Sequence, residues 1–432
     1  MRMSSGRDIA VLALVAVSVL MAGIAKGQEN ILLTFDNKNG ANPESSLVFD
    51  PSGNLFGTTN AGGSQGCSYD YVLGCGTVFE LTPTGSGTWT NHVLHSFSNN
   101  GVDGNYPVAG VVLDGAGNVY GTTQYGGTGA CVTAEGFAGC GVVFELTPTT
   151  GGRWRERVLH SFQSDGVDGV YPEAGLVLDA AGDLYGTTYG GGGASDPYGT
   201  VFELTPAGEG EWTETILHNF DACCNVDGFD PLADLIFDSQ GNLYSTTLAG
   251  GSGYLGTVYE LSPAGDGTWT ETILYDFSDR GSAGYEPTTG LAVDASGNLY
   301  GTTSIGGVGQ GGAVYELTPI VGRGWAEMTL YSFDDKYGRD PSRPVGSLIL
   351  DAAGNLFGTT RDGGSFGAGT VFELEPQANG TWAFNQLHGF GSSRRDGYYP
   401  IAGVNLDALG NLYGTTPDGG ARGDGIVFEI MH

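Results

Sequence analysis

The heptapeptide GNLYGTT occupies residues 297–303 and recurs unchanged at 410–416. Close variants stand at five other places: GNLFGTT from 53 and from 354, GNVYGTT from 117, GDLYGTT from 182 and GNLYSTT from 241. The first residues of the GTT-like triplets fall at 57, 121, 186, 245, 301, 358 and 414, so the spacings are 64, 65, 59, 56, 57 and 56 residues. Read from residue 273, one unit runs ILYDF, a loop, GLAVD, a turn, NLYGTT, a loop, AVYELTP, a turn, and Trp325. Each apolar segment is short and rich in β-branched and aromatic residues, which suit a pleated, half-buried surface and so mark strands. Four strands per unit in seven units predict an all-β chain folded as a seven-bladed β-propeller with four-stranded blades. A β-helix is the alternative, but it needs shorter and more uniform coils.

The tryptophans set the phase. They stand at 89, 154, 212, 269, 325 and 382, each six residues after the proline of an ELTP-like segment. No seventh follows the last VFEI, but Ile31-Leu32-Leu33-Thr34-Phe35 matches Val93-Leu94-His95-Ser96-Phe97. The N-terminal strand is therefore expected to complete the last blade, because a ring closed by a shared strand leaves no exposed sheet edge. In every unit an Asp-x-x-Gly step precedes the second strand, as at Asp50/Gly53 and Asp294/Gly297. Asp can hydrogen-bond its own turn and Gly accepts positive φ, so this step reads as a hairpin turn. The Gly of GTT is expected to let backbone or an aromatic ring approach closely.

The segment from Arg2 and Arg7 through the apolar run Ile9–Ala25 has the order of a secretory leader ending at residue 27, with an uncleaved anchor as the alternative. Residues 28–432 then form one domain, with blades at about 46–97, 108–162, 173–220, 232–277, 288–333, 345–390, and 401–430 joined by 30–36. Formal net charge is −32; removing residues 1–27, which carry a net +2, leaves −34. Such a charge opposes nucleic-acid backbones and anionic membranes and favours cations or basic partners.

The stretch D-x-x-GNLYGTT-x-x-GG, then GTVFELTP (76–83), Trp89 and VLHSF (93–97), resembles the GloVer tandem repeat of the choice-of-anchor GloVer-containing proteins of bacteria. The resemblance covers essentially all of residues 28–432. It implies an exported propeller of unassigned activity and carries over no catalytic residue. Members of that family bear varied C-terminal surface anchors; this chain stops at its last repeat, so release is expected.

Asp-x-x-Gly turns and Pro-to-Trp turns keep one length and share one end of the ring. At the other end the loop from GTT to the third strand takes 18 residues after Thr59, 19 after Thr123, 12 after Thr188 and 10 elsewhere. Variable loops on a rigid scaffold carry function, so this end is the candidate binding face. Cys67 with Cys75, and Cys131 with Cys140, are expected to be disulfides stapling the two longest loops in an oxidising compartment, outside the cell or in its envelope. Cys223 and Cys224 admit a vicinal disulfide, an intermolecular pair or free thiols.

The loops entering the innermost strands repeat an acid and an aromatic: Asp103 and Tyr106, Asp168 and Tyr171, Asp227 and Asp230, Tyr285 and Glu286, Asp396 and Tyr399. At the mouth of a central channel they could bind a glycan, a peptide or a basic protein, and their oxygens could hold Ca²⁺. No D-x-D-x-D-G loop supports the ion, and ordinary turn chemistry accounts for the same residues. Further breaks in the repeat are Asp70 and Tyr71, and Arg339, Arg343, Arg394 and Arg395. His95, His160, His218 and His388 share one strand position with Tyr275, Tyr331 and Leu33, which reads as packing rather than as a common metal centre. One glutamate per third strand (Glu80, Glu145, Glu203, Glu260, Glu316, Glu373 and Glu429) reads as structural, because seven equivalent positions do not converge on one substrate. No phosphate-cradling loop, H-E-x-x-H helix or C-x-x-C pair is present. The expected molecule is a monomeric, non-catalytic binding propeller, with a secreted polysaccharide lyase or hydrolase working from the channel mouth as the alternative.

Overall fold

The computed structural model describes residues 27–432 apart from 64–65, 70–71, 86, 134–135, 194–197, 222–226, 280, 336–337 and 339. Residues 1–26 of the leader, Cys223, Cys224, Asp70, Tyr71 and Arg339 lie outside the described residues. Seven four-stranded antiparallel sheets are present among them, and the chain is a seven-bladed β-propeller. Blade 5 shows the plan, with Ala292–Val293, Leu299–Thr303, Gln310–Ile320 and Gly324–Asp334 following one another from inner to outer strand. The last blade is closed from the other end of the chain: Gln28–Thr34 pairs antiparallel with Ile426–Met431, Ile31 opposite Phe428. Phe35 N–H then donates to the Gly425 carbonyl at 3.1 Å.

The repeated motif holds the molecule together piece by piece. Asp294 Oδ1 accepts from the backbone N–H of Ser296 and of Asn298 at 2.8 and 2.9 Å, and Gly297 turns the chain at φ 83°. The second strands are buried at every position of LYGTT or its variants. At Gly121 a Cβ would sit 2.6 Å from Phe144 Cζ, so glycine is what lets that ring lie flat on the strand. The first threonine of GTT ties blade to blade. Its hydroxyl donates to a carbonyl in the segment leading into the next inner strand: Thr58 to Ala109 at 2.7 Å, Thr122 to Ala174 at 2.9 Å, and Thr415 to Ser45 at 2.9 Å across the ring closure.

Apolar packing is also chiefly between blades. A phenylalanine ending each outer strand meets an aromatic ring on the third strand of the next blade, from Phe97–Phe144 to Phe390–Phe428, with centroids 5.0–5.4 Å apart. Phe35–Phe79 is the closing member of that series. Each tryptophan packs edge-on against the aromatic residue before the preceding blade's GTT-like triplet, as Trp212 does against Tyr120 and Trp89 against Tyr413. The blade without a tryptophan is served by His432, whose ring stands 5.2 Å from Phe357. The third-strand glutamates are taken up locally, as the structural reading requires: Tyr300 hydroxyl donates to Glu316 and Tyr413 hydroxyl to Glu429.

Candidate functional site

The segments leading into the inner strands of all seven blades wall a central channel with a cavity of about 270 Å³. Its lining residues are mostly small, the surface they expose is mostly polar, and its acids are Glu44, Glu173 and Asp234. Burial pushes the Glu44 carboxyl up to about 7; Asn60 opposes this by hydrogen bonding, and Asp418 and Glu173 add to it. Burial likewise raises Glu173 to about 7 against the bond from Gln124, with Asp230 adding a little. Asp234, open to the channel yet surrounded by protein, is raised by the same cause and opposed by the Gly175 N–H at 2.6 Å.

These shifts fix the sign of a pH effect. A carboxyl whose folded pKa exceeds its unfolded value binds protons more tightly in the folded state, so the fold gains stability as pH falls through about 7 toward 4.5. The urea midpoint is expected to be higher at pH 5 than at pH 8. Replacing both Glu44 and Glu173 by Gln should flatten that slope, and a midpoint that rises with pH across this range would contradict the burial argument.

None of the ten entry-loop residues named from the sequence lines the channel wall. Tyr106, Tyr171, Asp230, Glu286 and Tyr399 occupy one equivalent position, together with Asn42 and Arg343, and all seven have φ between 52° and 63°. Each precedes the proline that starts an inner strand. Each N–H donates to the preceding blade, as Tyr106 does to Cys75 and Tyr171 to Cys140 at 2.9 and 2.8 Å. Left-handed backbone at a non-glycine residue costs on the order of 1–3 kcal/mol, and here the bonds between blades hold it in place. The result is a ring of seven equivalent positions, of which Arg343 and Tyr399 are exposed and Tyr171 packs against the core between blades 2 and 3. Sequence reading missed Asn42 and Arg343 because they are neither acid nor aromatic; the shared signal was the following proline.

The expectation that the acids gather at the channel fails for four aspartates. Asp103, Asp168, Asp227 and Asp396 turn outward to His95, His160, His218 and His388, at 3.3, 3.1, 3.4 and 3.8 Å. The cause is local: their carboxylates accept backbone N–H groups just past the outer strand, from Ser98, Gln163, Asp221 and Ser392. Tyr285 packs into the apolar interface between blades 4 and 5. The histidines are not mere packing residues either, since His160 also lies 3.6 Å from Glu214 of the next blade and His218 3.8 Å from Glu271. Neighbouring outer strands thus come close enough to share side-chain clusters. Burial pushes Glu214 and Glu271 well above the usual carboxylate range, and the adjoining aspartates push the same way.

Blades 1 to 3 break the symmetry. Cys67–Cys75 and Cys131–Cys140 are both bonded and staple the two longest loops. The second loop brings Phe137 to stack on Tyr125 at 4.8 Å and 5°, with Tyr106 at 5.8 Å from both rings and Tyr171 at 5.7 Å from Tyr125. Beside them opens a pocket of about 190 Å³ lined by Asn42, Glu44, Asn60, Asn105, Tyr106 and Phe137, with Cys67 and Cys75 in its wall. Amides and a carboxylate thus face an aromatic wall next to the channel mouth. Arg343 reaches Asp362 at 3.5 Å on the opposite rim.

Blade count, ring closure and a constant motif with variable rim loops define a repeat propeller. The Gloeobacter/Verrucomicrobia repeat matches residues 21–222 and again 192–428, and the chain belongs to that repeat family. No curated protein matches it. Among solved structures it is similar to a "putative 6-phosphogluconolactonase" from Bacteroides uniformis ATCC 8492, at 15% identity and a TM-score of 0.48, over 78% of this chain and 84% of that one. It is also similar to a protein of unknown function from Dyadobacter fermentans DSM 18053, at 11% identity and a TM-score of 0.44, over 84% of this chain and 98% of that one. Neither likeness transfers an activity. Among the described residues no helix is long and apolar enough to cross a membrane, and the two disulfides are consistent with an exported protein.

Proposed function

We propose that this chain is an exported, non-catalytic binding propeller of the cell envelope or exterior that seats a glycan on the rim between blades 1 and 2. Removal of the leader at residue 27 and folding where disulfides persist belong to the same reading. The observation that carries it is the aromatic wall of Tyr106 and Phe137 facing Asn42, Asn60, Asn105 and Glu44 across one small pocket. A sugar ring offers an apolar face for stacking and hydroxyls for amide and carboxylate partners, and such a mix of apolar wall and a few fixed polar groups is what small-molecule sites use. The strained backbone at Tyr106 and the disulfide behind the pocket support preorganisation, which lowers the cost of binding.

A second reading is favoured by Glu44 and Glu173, both raised to about 7 at the channel mouth. A carboxyl that is half protonated near neutrality can serve as a general acid, so a lyase or hydrolase acting on polysaccharide is the competing class. A glycan array followed by calorimetry on any hit separates them. Binding without turnover, weakened at least tenfold in Tyr106→Ala and Phe137→Ala with the fold intact, supports the binding reading. Release of reducing ends or unsaturated sugars, lost in Glu44→Gln or Glu173→Gln, would replace it with the enzyme. Retention of peptides but no glycans would overturn the ligand class.

A further inference from the structure

We propose that the outer rim binds divalent transition-metal ions of the zinc class, one in each of three clefts between neighbouring blades. The ligand sets are His160, Asp168 and Glu214 between blades 2 and 3; His218, Asp227 and Glu271 between blades 3 and 4; and His388, Asp396 and Glu29 between blades 6 and 7. In each set one nitrogen and two carboxylate oxygens lie within 4.8 Å of one another.

The distances bracket those between ligands of one ion, and only His160 and Asp168 are close enough to bond directly. Bond lengths of about 2.0–2.2 Å from zinc to imidazole nitrogen and carboxylate oxygen place neighbouring ligands of a tetrahedron about 3.4 Å apart. The imidazole Nε2 lies 3.1 and 3.6 Å from its two carboxylates in the first set, 3.4 and 3.8 Å in the second, and 3.8 Å from both in the third. Buried atoms without a hydrogen-bond partner accompany them: Asp168 Oδ1 and Glu214 Oε1; His218 Nε2, Asp227 Oδ1 and Glu271 Oε1; His388 Nε2 and Glu29 Oε1. Asp168 is only 7% exposed and Asp396 2%. Buried polar atoms left unpaired are costly; the unpaired oxygens are the second atoms of the carboxylates that face the imidazole, so a cation bound by both oxygens of a carboxylate would give them a partner. An imidazole with two carboxylates suits zinc, whereas calcium takes oxygen ligands throughout.

The rings are aimed before any ion arrives. Each histidine packs edge-on against the phenylalanine two residues later, with centroids 4.7–4.8 Å apart, and each aspartate is pinned by a backbone N–H. The seven internal copies provide a comparison within one chain. Wherever His takes the outer-strand position, an Asp follows in the entry loop and a Glu stands on the next outer strand. Where Tyr331 replaces it, the facing residue is Phe384, stacked on it at 4.7 Å. The fourth His-bearing cleft, His95 and Asp103 with Glu156 of the next outer strand, is expected to stay empty, because its three groups do not gather within the 4.8 Å that the other sets do. The third site has a structural consequence: an ion there would bind the closing strand, through Glu29, to blade 6.

The test is calorimetric titration of the EDTA-treated mature chain with ZnCl₂ at neutral pH. Metal content is measured in parallel after dialysis against equal Zn²⁺, Mn²⁺ and Ca²⁺. About three equivalents of Zn²⁺ per chain and a raised melting temperature are expected. His160→Gln, His218→Gln and Glu29→Gln should each lose one equivalent, and the triple variant should lose all three. Should the histidine variants fail to fold, Glu214→Gln and Glu271→Gln remove one ligand of their sites, and the d–d spectrum of Co²⁺ on the unaltered protein reads coordination without any substitution. Uptake unchanged in the folded triple variant, preference for Ca²⁺, or no uptake at all would overturn the proposal.

Discussion

Deleting residues 28–35 is expected to abolish cooperative folding and to leave an aggregation-prone chain rather than a propeller whose last blade merely lacks one of its four strands. The deletion strips Ile426–Met431 of its partner along the whole strand and removes Phe35, fully buried against Phe79 of the first blade. Two unpaired surfaces then appear together: a flat strand edge with free N–H and C=O groups, and an apolar face of blade 1. Circular dichroism melting and light scattering of the oxidised protein check this. A sharp melt near that of the full chain would mean that the N-terminal strand is an appendage and that the ring is closed by something else.

Phe144→Ala is expected to cost about 3–5 kcal/mol, the range for truncating a fully buried phenylalanine. The ring fills the space over Gly121 and meets Phe97 of the preceding blade at 5.2 Å, so its loss opens a cavity between blades 1 and 2. Phe35→Ala should cost a similar amount, since Phe35–Phe79 is the same contact repeated at the closure, at 5.3 Å. Urea unfolding of both variants tests whether the seam is as strong as an ordinary interface between blades. A Phe35→Ala loss under about 1 kcal/mol, below the lower end seen for buried large-to-small changes, would mark the closure as loosely held.

The blade count, the strand order, the closing strand and the two disulfides were all legible in the amino-acid sequence, because each is local or is copied in register. Seven recurrences of one motif fix the number of blades, six tryptophans fix the phase, and the likeness of Ile31–Phe35 to Val93–Phe97 shows which strand is missing from the end. Even the glycine of GTT was readable, since only a residue without a side chain allows Phe144 over Gly121.

What the tertiary structure alone decided lies between blades. His160, Asp168 and Glu214 are 54 residues apart at their extremes and belong to different repeats, so a reading made one unit at a time cannot bring them together. The same holds for the hydroxyl of Thr415 reaching Ser45 and for Asn405 reaching the Leu47 carbonyl across the closure. The channel acids Glu44, Glu173 and Asp234 look in sequence like three unrelated substitutions; only the ring turns them toward one axis. A repeat specifies its own blade through short-range pairing, whereas the angle between blades, and hence which side chains meet across a cleft, comes from interlocking aromatic packing around the whole circle.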